Sequence, residues 1–209
     1  MKKNKVEIVI VLDRSGSMSL IKNDMEGNFK TFLEEQKNQI GVEKFITLYQ
    51  FDSEHEKVYE LVNIKDIDSL TLTPRGATAL LDALGNAINS VGQRLNKTSE
   101  DEKPENVIFL VITDGEENAS REFNSTKIKE MVELQQKIYN WKFVFFGANQ
   151  DAVLNGSKYG FSGTTSMSFA PCSGAISSAF RSLNAYCSAT SISQDYAFSD
   201  QERIDAMNK

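Results

Sequence analysis

The sequence predicts an α/β fold of the doubly wound type, with a mainly parallel sheet and helices on both faces. Short apolar runs rich in β-branched and aromatic residues alternate along the 209-residue chain with longer runs of helical periodicity. Such alternation requires crossover connections, which produce parallel strands. No internal repeat or low-complexity linker divides the chain, so we expect one domain over 1–190 and a polar, loosely attached tail over 191–209.

Six segments are predicted to be strands because they are short, apolar and bounded by polar turns. They begin with "VEIVIVL" and cover 6–12, 44–52, 57–64, 106–113, 141–149 and 164–169. The first and fourth of these runs are almost entirely apolar rather than alternating, which is typical of strands buried on both faces. The third alternates only partly and follows a polar turn, which indicates a hairpin partner at the edge of the sheet.

Five segments have the i, i+3, i+4 spacing of apolar residues that predicts helices. They cover about 20–39, 78–95, 126–140, 151–160 and 173–190, the fourth being a short helix and turn. Ser19 directly precedes the first helix and is predicted to be its N-cap. Asn124 or Ser125 is predicted to cap the third.

Composition limits the classes of function. A net charge of −6 argues against a broad basic surface for nucleic acid or anionic lipid. With one histidine, His55, and no CxxC, no zinc cluster can form. Cys172 and Cys187 fall in one predicted helix, more than about 20 Å apart, so we expect free thiols in a reducing compartment. The basic start leads into too short an apolar run for a signal peptide or membrane span, and we expect a cytoplasmic protein.

Polar oxygen donors follow three of the predicted elements. Asp13, Ser15 and Ser17 follow the first strand, Thr78 follows a turn broken by proline and glycine, and Asp114 follows the strand at 106–113. In open α/β sheets, ligands bind outside the carboxyl ends of the strands, where strand order reverses. Two carboxylates and three hydroxyls are hard ligands and suit Mg²⁺, Mn²⁺ or Ca²⁺. A helix cap alone would leave Thr78 and Asp114 unexplained.

These residues carry a resemblance to a known family. "DRSGSMS" resembles the DxSxS motif of the von Willebrand factor A (VWA) domain, "RGATAL" its threonine element, and "TDGEEN" its strand-ending TDG. The three elements occur in the family's order, and the similarity in architecture covers roughly 5–190. Within the family the chain looks most like compact stand-alone bacterial and phage domains. One departure is Ala77, where many members have a second glycine.

The resemblance implies a metal-ion-dependent adhesion site on a six-stranded sheet with one antiparallel edge strand. Ser15, Ser17 and Thr78 would then coordinate the metal through their hydroxyls, and Asp13 and Asp114 directly or through water. The open coordination position would accept an Asp or Glu of a partner protein. Neither the partner, the biological process nor the oligomeric state follows from the sequence.

Two functions are weighed. The first is a non-enzymatic, divalent-cation-dependent protein-binding module. The second is a Mg²⁺-dependent phosphohydrolase or nuclease on a similar sheet. Phosphoryl-transfer sites of that kind usually carry paired acids, whereas Ser15 and Ser17 follow Asp13. A serine hydrolase would need a general base, and His55 lies in another loop.

Several neighbouring residues keep two interpretations. Asp52 either supports the site or only forms a turn. Arg14 and Arg75 either form a basic rim that attracts a carboxylate or are simply solvated. Residues 116–118 are interpreted as a solvated loop rather than as ligands, although they could also screen which partners approach the metal.

Overall fold

The sheet has six strands in the order β3-β2-β1-β4-β5-β6. The structure, a computed structural model, describes residues 1–208. The strands are β1 (Lys2–Asp13), β2 (Glu43–Phe51), β3 (His55–Asn63), β4 (Pro104–Thr113), β5 (Lys142–Ala148) and β6 (Ser166–Phe169). Only β2 and β3 pair antiparallel, and the other neighbours pair parallel. The predicted fold class, with its antiparallel edge strand, is confirmed.

Helices cover both faces of this sheet. They are α1 (Lys22–Lys37), α2 (Leu80–Lys97), α3 (Ser125–Tyr139), α4 (Ala152–Lys158), α5 (Ser173–Ser191) and α6 (Asp200–Met207). Helices α1 and α5 share one apolar cluster with alternate residues of the strands, and α2 and α3 share the other. The first five match the predicted helices, with ends shifted by a few residues.

The mainly apolar character of the second half of β1 is explained by burial on both faces. Ile8, Ile10 and Leu12 pack towards α1 and α5, whereas Val9 and Val11 pack towards α2 and α3. All five side chains are essentially inaccessible to solvent. The central strands therefore form a rigid platform for the loops at their carboxyl ends.

The predicted cap of the first helix is wrong. Ser19 lies inside a short 3₁₀ helix, Gly16–Leu20, and is exposed to solvent. Helix α1 begins only at Lys22, and Ile21 occupies its N-cap position without a side-chain cap. The chain makes one tight turn after β1 before α1 starts, which moves the helix start past the serines. For α3, Asn124 is the cap and accepts the N–H of Lys127 at 2.9 Å.

The expectation of a loosely attached tail is also wrong for the described residues. Phe198 and Ala206 are buried, and α6 carries a capping box between Ser199 and Glu202. Arg203 donates hydrogen bonds to backbone carbonyls at and just before β6. The polar composition of 191–209 conceals the few apolar residues that attach it to the sheet. Lys209 lies outside the described residues.

Both cysteines are free, as their spacing predicts. Cys187 is buried in α5, and burial raises the pKa of its thiol to about 12. Cys172 directly precedes α5. Within residues 1–208, no helix combines the length and the apolar character needed to cross a membrane.

Lys44 in β2 is a buried amine without a carboxylate partner among residues 1–208. It is 2% exposed, and its ammonium group donates to the side-chain oxygen of Gln36 in α1. Burial lowers the pKa of Lys44 from its ordinary 10.5 to about 8. Between pH 8 and 10.5 the unfolded chain therefore binds one more proton than the folded chain, and stability rises with pH across that window.

Replacing this amine should remove that pH dependence. We expect the stability of wild type relative to Lys44→Met to rise by on the order of 3 kcal/mol between pH 7 and 10.5. Urea unfolding at several pH values measures the difference, and Lys30→Met, an exposed lysine of α1, is the matched control. A constant difference between wild type and Lys44→Met would contradict the prediction.

Candidate metal centre

The candidate site lies where strand order reverses in the sheet. Strand β1 has β2 on one side and β4 on the other, so the carboxyl ends of β1 and β4 border a crevice. Three loops surround it: the first loop (residues 14–20), the second loop (residues 73–79) and the third loop (residues 114–124). Asp13 is the last residue of β1, and Asp114 directly follows β4.

Asp13 is fully buried and held by two hydrogen bonds. Its Oδ1 accepts the N–H of Ser15 at 2.6 Å, and its Oδ2 accepts the hydroxyl of Thr113 at 2.6 Å. Burial raises the pKa of Asp13 to about 6, although these bonds oppose the shift. Thr113 was missed by the sequence reasoning. The feature that could have indicated it is its position as the last residue of β4. It lies one residue beyond the Leu12–Ile112 pair of the β1–β4 register, level with Asp13.

The oxygen donors of the three loops border one space. Ser15 Oγ lies 3.1 Å from Ser17 Oγ, and Ser17 Oγ donates to Asp114 Oδ1 at 2.7 Å. A Cβ at Gly115 would lie 3.2 Å from Thr78 Oγ1 and 3.7 Å from Ser17 Oγ. The missing side chain of Gly115 therefore leaves room beside these hydroxyls. The structure brings all five residues of the sequence-predicted site to this crevice.

The oxygen spacing suits a hard cation. Mg²⁺ binds six oxygens at about 2.1 Å, so adjacent ligands of an octahedron lie about 3.0 Å apart. The Ser15–Ser17 and Ser17–Asp114 separations, 3.1 and 2.7 Å, are close to that edge length. Residues 1–208 contain no cluster of three or more His, Cys, Asp or Glu side chains placed to hold a metal. The donor set is thus one of mixed carboxylates and hydroxyls, and it fits a divalent cation that retains open positions.

The third loop is fastened to the second loop and to α2. Asn118 is exposed, as the solvated-loop interpretation of 116–118 expects, but Glu117 is half-buried and both residues bond to neighbouring backbone. The Glu117 carboxylate accepts N–H groups of Leu81 at 2.9 Å and of Ser120 at 2.7 Å. Asn118 exchanges two hydrogen bonds with the backbone of Thr78, at 2.9 and 3.0 Å. Glu116 is exposed. These contacts fix Thr78 relative to Asp114.

Asp82, in the first turn of α2, holds the far part of the third loop. Its carboxylate accepts three successive backbone N–H groups, those of residues 121–123. The ring of Phe123 lies over Gly85, where an added Cβ would approach it to 2.7 Å. The third loop is therefore packed against α2 through both polar and apolar contacts.

Their contacts in the structure bear on the two interpretations given for Arg14, Arg75 and Asp52. Arg14 is buried and pairs with Asp52 at 2.8 Å and with Glu56 at 2.7 Å, so it is not a solvated rim residue. Arg75 also pairs with Asp52, at 2.9 Å, but its side chain is 59% exposed. Asp52 thus does more than form a turn, because it contacts residues of both the first and second loops. His55 is exposed at the start of β3.

With this geometry established, solved structures show that the chain has the fold of a von Willebrand factor type A domain. Proximal thread matrix protein 1 from the mussel byssus is 18% identical with a TM-score of 0.61, over 88% of this chain and 46% of that chain. Another structure of that protein has a zinc-occupied MIDAS (metal-ion-dependent adhesion site) motif. It is 18% identical with a TM-score of 0.60, over 89% of this chain and 46% of that chain. A von Willebrand factor type A protein from Catenulispora acidiphila is 15% identical with a TM-score of 0.55, over 91% and 43%.

These likenesses are of fold. The chain spans about half the length of these solved proteins. No family model matches the sequence, and no curated protein matches it.

Proposed function

We propose that this protein is a divalent-cation-dependent protein-binding module rather than an enzyme. Asp13, Ser15, Ser17, Thr78 and Asp114 would hold the metal, and an Asp or Glu of a partner protein would complete its coordination. The observation that carries the proposal is the convergence of oxygen donors from three loops: the Thr78 and Ser17 hydroxyls lie beside the space left by Gly115, and Ser17 contacts both Ser15 and Asp114. The zinc-occupied MIDAS motif of the mussel protein adds support, because that protein has the same fold.

The ligand types favour capture of an outside carboxylate. When bound, the cation would act as a Lewis acid. Two carboxylates would balance its double charge without exceeding it, since the hydroxyls are neutral ligands. The hard oxygen set favours Mg²⁺, with Mn²⁺ or Ca²⁺ as alternatives. The hydrogen bonds of Asp13 to Thr113 and to the Ser15 N–H fix the orientation of its carboxylate before a metal arrives.

The setting of the module is part of the same proposal. The net charge of −6 favours a protein partner over nucleic acid or an anionic membrane. The free thiols of Cys172 and Cys187 favour a reducing compartment, and we propose a cytoplasmic location.

The alternative is a Mg²⁺-dependent phosphohydrolase or nuclease at the same crevice. It is less well supported because Ser15 and Ser17 stand where phosphoryl-transfer sites carry further acids. No carboxylate-rich metal cluster occurs in the part of the chain that the structure describes. Hydrolysis of p-nitrophenyl phosphate that requires Mg²⁺ and is lost in Asp13→Ala would favour this alternative.

The proposal is tested first by metal binding. Protein stripped with EDTA should bind one Mg²⁺ or Mn²⁺ in calorimetry and melt at a higher temperature with metal. At a free metal concentration 100-fold above Kd, binding should raise the free energy of unfolding by about 2.7 kcal/mol. For a domain of this size, that raises the melting temperature by roughly 5–10 °C. A wild-type protein that shows neither heat nor a melting shift would refute the metal site.

Partner recognition requires a second test. An array of immobilised peptides pairs each Asp- or Glu-containing sequence with its Asn or Gln counterpart. We expect metal-dependent retention on acidic peptides alone, with release by EDTA. Equal retention on the amide peptides would contradict recognition of a carboxylate.

A further inference from the structure

We propose that Asp52 is a positioning residue that clamps the first and second loops together and so forms the metal site before the cation binds. This inference rests on the proposed function and deepens it. The Asp52 clamp consists of Asp52, at the end of β2, with Arg14 of the first loop and Arg75 of the second loop.

One carboxylate oxygen joins the two loops. Asp52 Oδ2 accepts Nε–H of Arg14 at 2.8 Å and Nε–H of Arg75 at 2.9 Å. Its other oxygen, Oδ1, accepts the N–H of Glu54 at 3.0 Å, which fixes the side-chain rotamer. The Asp52 side chain is only 5% exposed, so water competes little for these charge-assisted bonds.

The positions of the two arginines connect the clamp to the proposed ligands. Arg14 lies between Asp13 and Ser15, and Arg75 precedes Thr78 by three residues. The backbone carbonyl of Asp52 also accepts the N–H of Ala79 at 2.8 Å, directly after Thr78. Asp52 therefore contacts the chain beside the proposed ligands of both loops.

Backbone contacts complete the junction between the loops. Arg75 N–H donates to the Arg14 carbonyl at 2.8 Å, and Gly16 N–H donates to the Gly76 carbonyl at 3.2 Å. Gly76 has φ +67°, and a Cβ there would lie 2.8 Å from Ser53 Oγ. The second loop thus lies tightly against the Asp52–Ser53 turn, and the positive φ and close contact at Gly76 favour glycine at this position.

The clamp matters because the proposed ligands come from separate loops. Ser15 and Ser17 belong to the first loop and Thr78 to the second, and a cation gains most from ligands already at the correct separation. Releasing the second loop would require the metal to order it on binding, which lowers affinity. Loss of the clamp should therefore weaken metal binding even though no proposed ligand is changed.

Arg75→Gln is the decisive variant because long-range electrostatics and the clamp predict opposite changes in cation affinity. Removing a positive charge near a cation site strengthens cation binding if only long-range electrostatics matters. The clamp instead predicts weaker binding, by about 10-fold, as for residues that orient metal ligands. Mn²⁺ titration by calorimetry or electron paramagnetic resonance measures the affinity without a partner. Because the Arg75 side chain is exposed, we expect the variant to fold, and melting in EDTA checks this.

Asp52→Asn and the double variant test whether the two residues act together. We expect Asp52→Asn to weaken Mn²⁺ binding by about 10-fold or more, and the double variant to bind no more weakly than Asp52→Asn alone. Arg121→Gln, which removes an exposed positive charge from the third loop, is the matched control and should not weaken binding. If Asp52→Asn fails to fold, Arg75→Gln alone decides.

The outcomes separate this inference from the proposed function. A wild-type protein that binds no Mn²⁺ refutes the metal site and the clamp together. A wild-type protein that binds Mn²⁺, with Arg75→Gln binding equally or more tightly, refutes only the clamp. A lower melting temperature in EDTA with unchanged Mn²⁺ affinity would assign Asp52 and Arg75 a merely structural role.

Discussion

Thr78→Val should lower the affinity for Mg²⁺ or Mn²⁺ by about 100-fold or more and leave the metal-free protein folded. Changes to groups that only orient metal ligands cost about 10- to 100-fold, and loss of a ligand should cost at least as much. Among residues 1–208 the Thr78 hydroxyl makes no hydrogen bond, whereas its backbone is held by Asn118. Valine keeps the branched shape, so the metal-free protein loses little.

Two matched variants separate a ligand effect from a packing effect. Thr78→Ser retains the hydroxyl and should keep metal affinity within about 10-fold of wild type. Ser19→Ala removes an exposed hydroxyl from the same 3₁₀ helix that carries Ser17, and it should bind metal as wild type does. Calorimetry gives the affinities, and melting in EDTA gives the metal-free stability. Wild-type affinity in Thr78→Val would exclude Thr78 as a ligand.

Arg94→Met should destabilise the fold by about 3–5 kcal/mol, because it leaves a buried carboxylate without its positively charged partner. Glu7 in β1 is wholly buried, and one of its oxygens accepts hydrogen bonds from Arg94 of α2 and from Thr47 of β2 at 2.6 Å. Its other oxygen has no partner within residues 1–208. Removing the guanidinium therefore leaves the charge of Glu7 uncompensated in a region of low dielectric constant.

The pair should be far less costly to replace than to break. In Glu7→Leu with Arg94→Met, both buried charges disappear. The Thr47 hydroxyl loses its acceptor and the exposed Glu60 loses a 4.0 Å pairing with Arg94, at a cost of about 1 kcal/mol. Urea unfolding with an unchanged m value gives both free energies. A double variant as unstable as Arg94→Met alone would show that the cost arises from packing rather than from the stranded charge.

The parts of the fold that could be predicted are those determined by local pattern. The apolar runs that became β1 and β4 are buried on both faces, and their composition reveals this directly. Because parallel strands bring their carboxyl ends to one edge, the meeting of Asp13 and Asp114 follows from sequence order and the resemblance. Their role as metal ligands stays a prediction.

The parts that could not be predicted depend on contacts between distant residues. Asp52 is 38 residues from Arg14 and 23 from Arg75, and no local pattern pairs them. Glu117 and Asn118 have the composition of a solvated loop, and no local pattern indicates their distant partners, Leu81 in α2 and Thr78 in the second loop. Ser19 has a good cap composition, but one additional 3₁₀ turn moved the helix start past it.

The attachment of α6 has a consequence for self-association. Strand β6 is the last strand of the sheet, and an uncovered last strand is a template for pairing with another chain. It is short, and Arg203 occupies the carbonyl of Ser166 while Ala206 accepts the N–H of Ala170, just beyond the strand. The opposite border, β3, presents charged side chains such as Lys57 and Glu60. Both borders thus discourage intermolecular strand pairing, so the loops of the crevice can be exposed to partners without the sheet edges promoting aggregation.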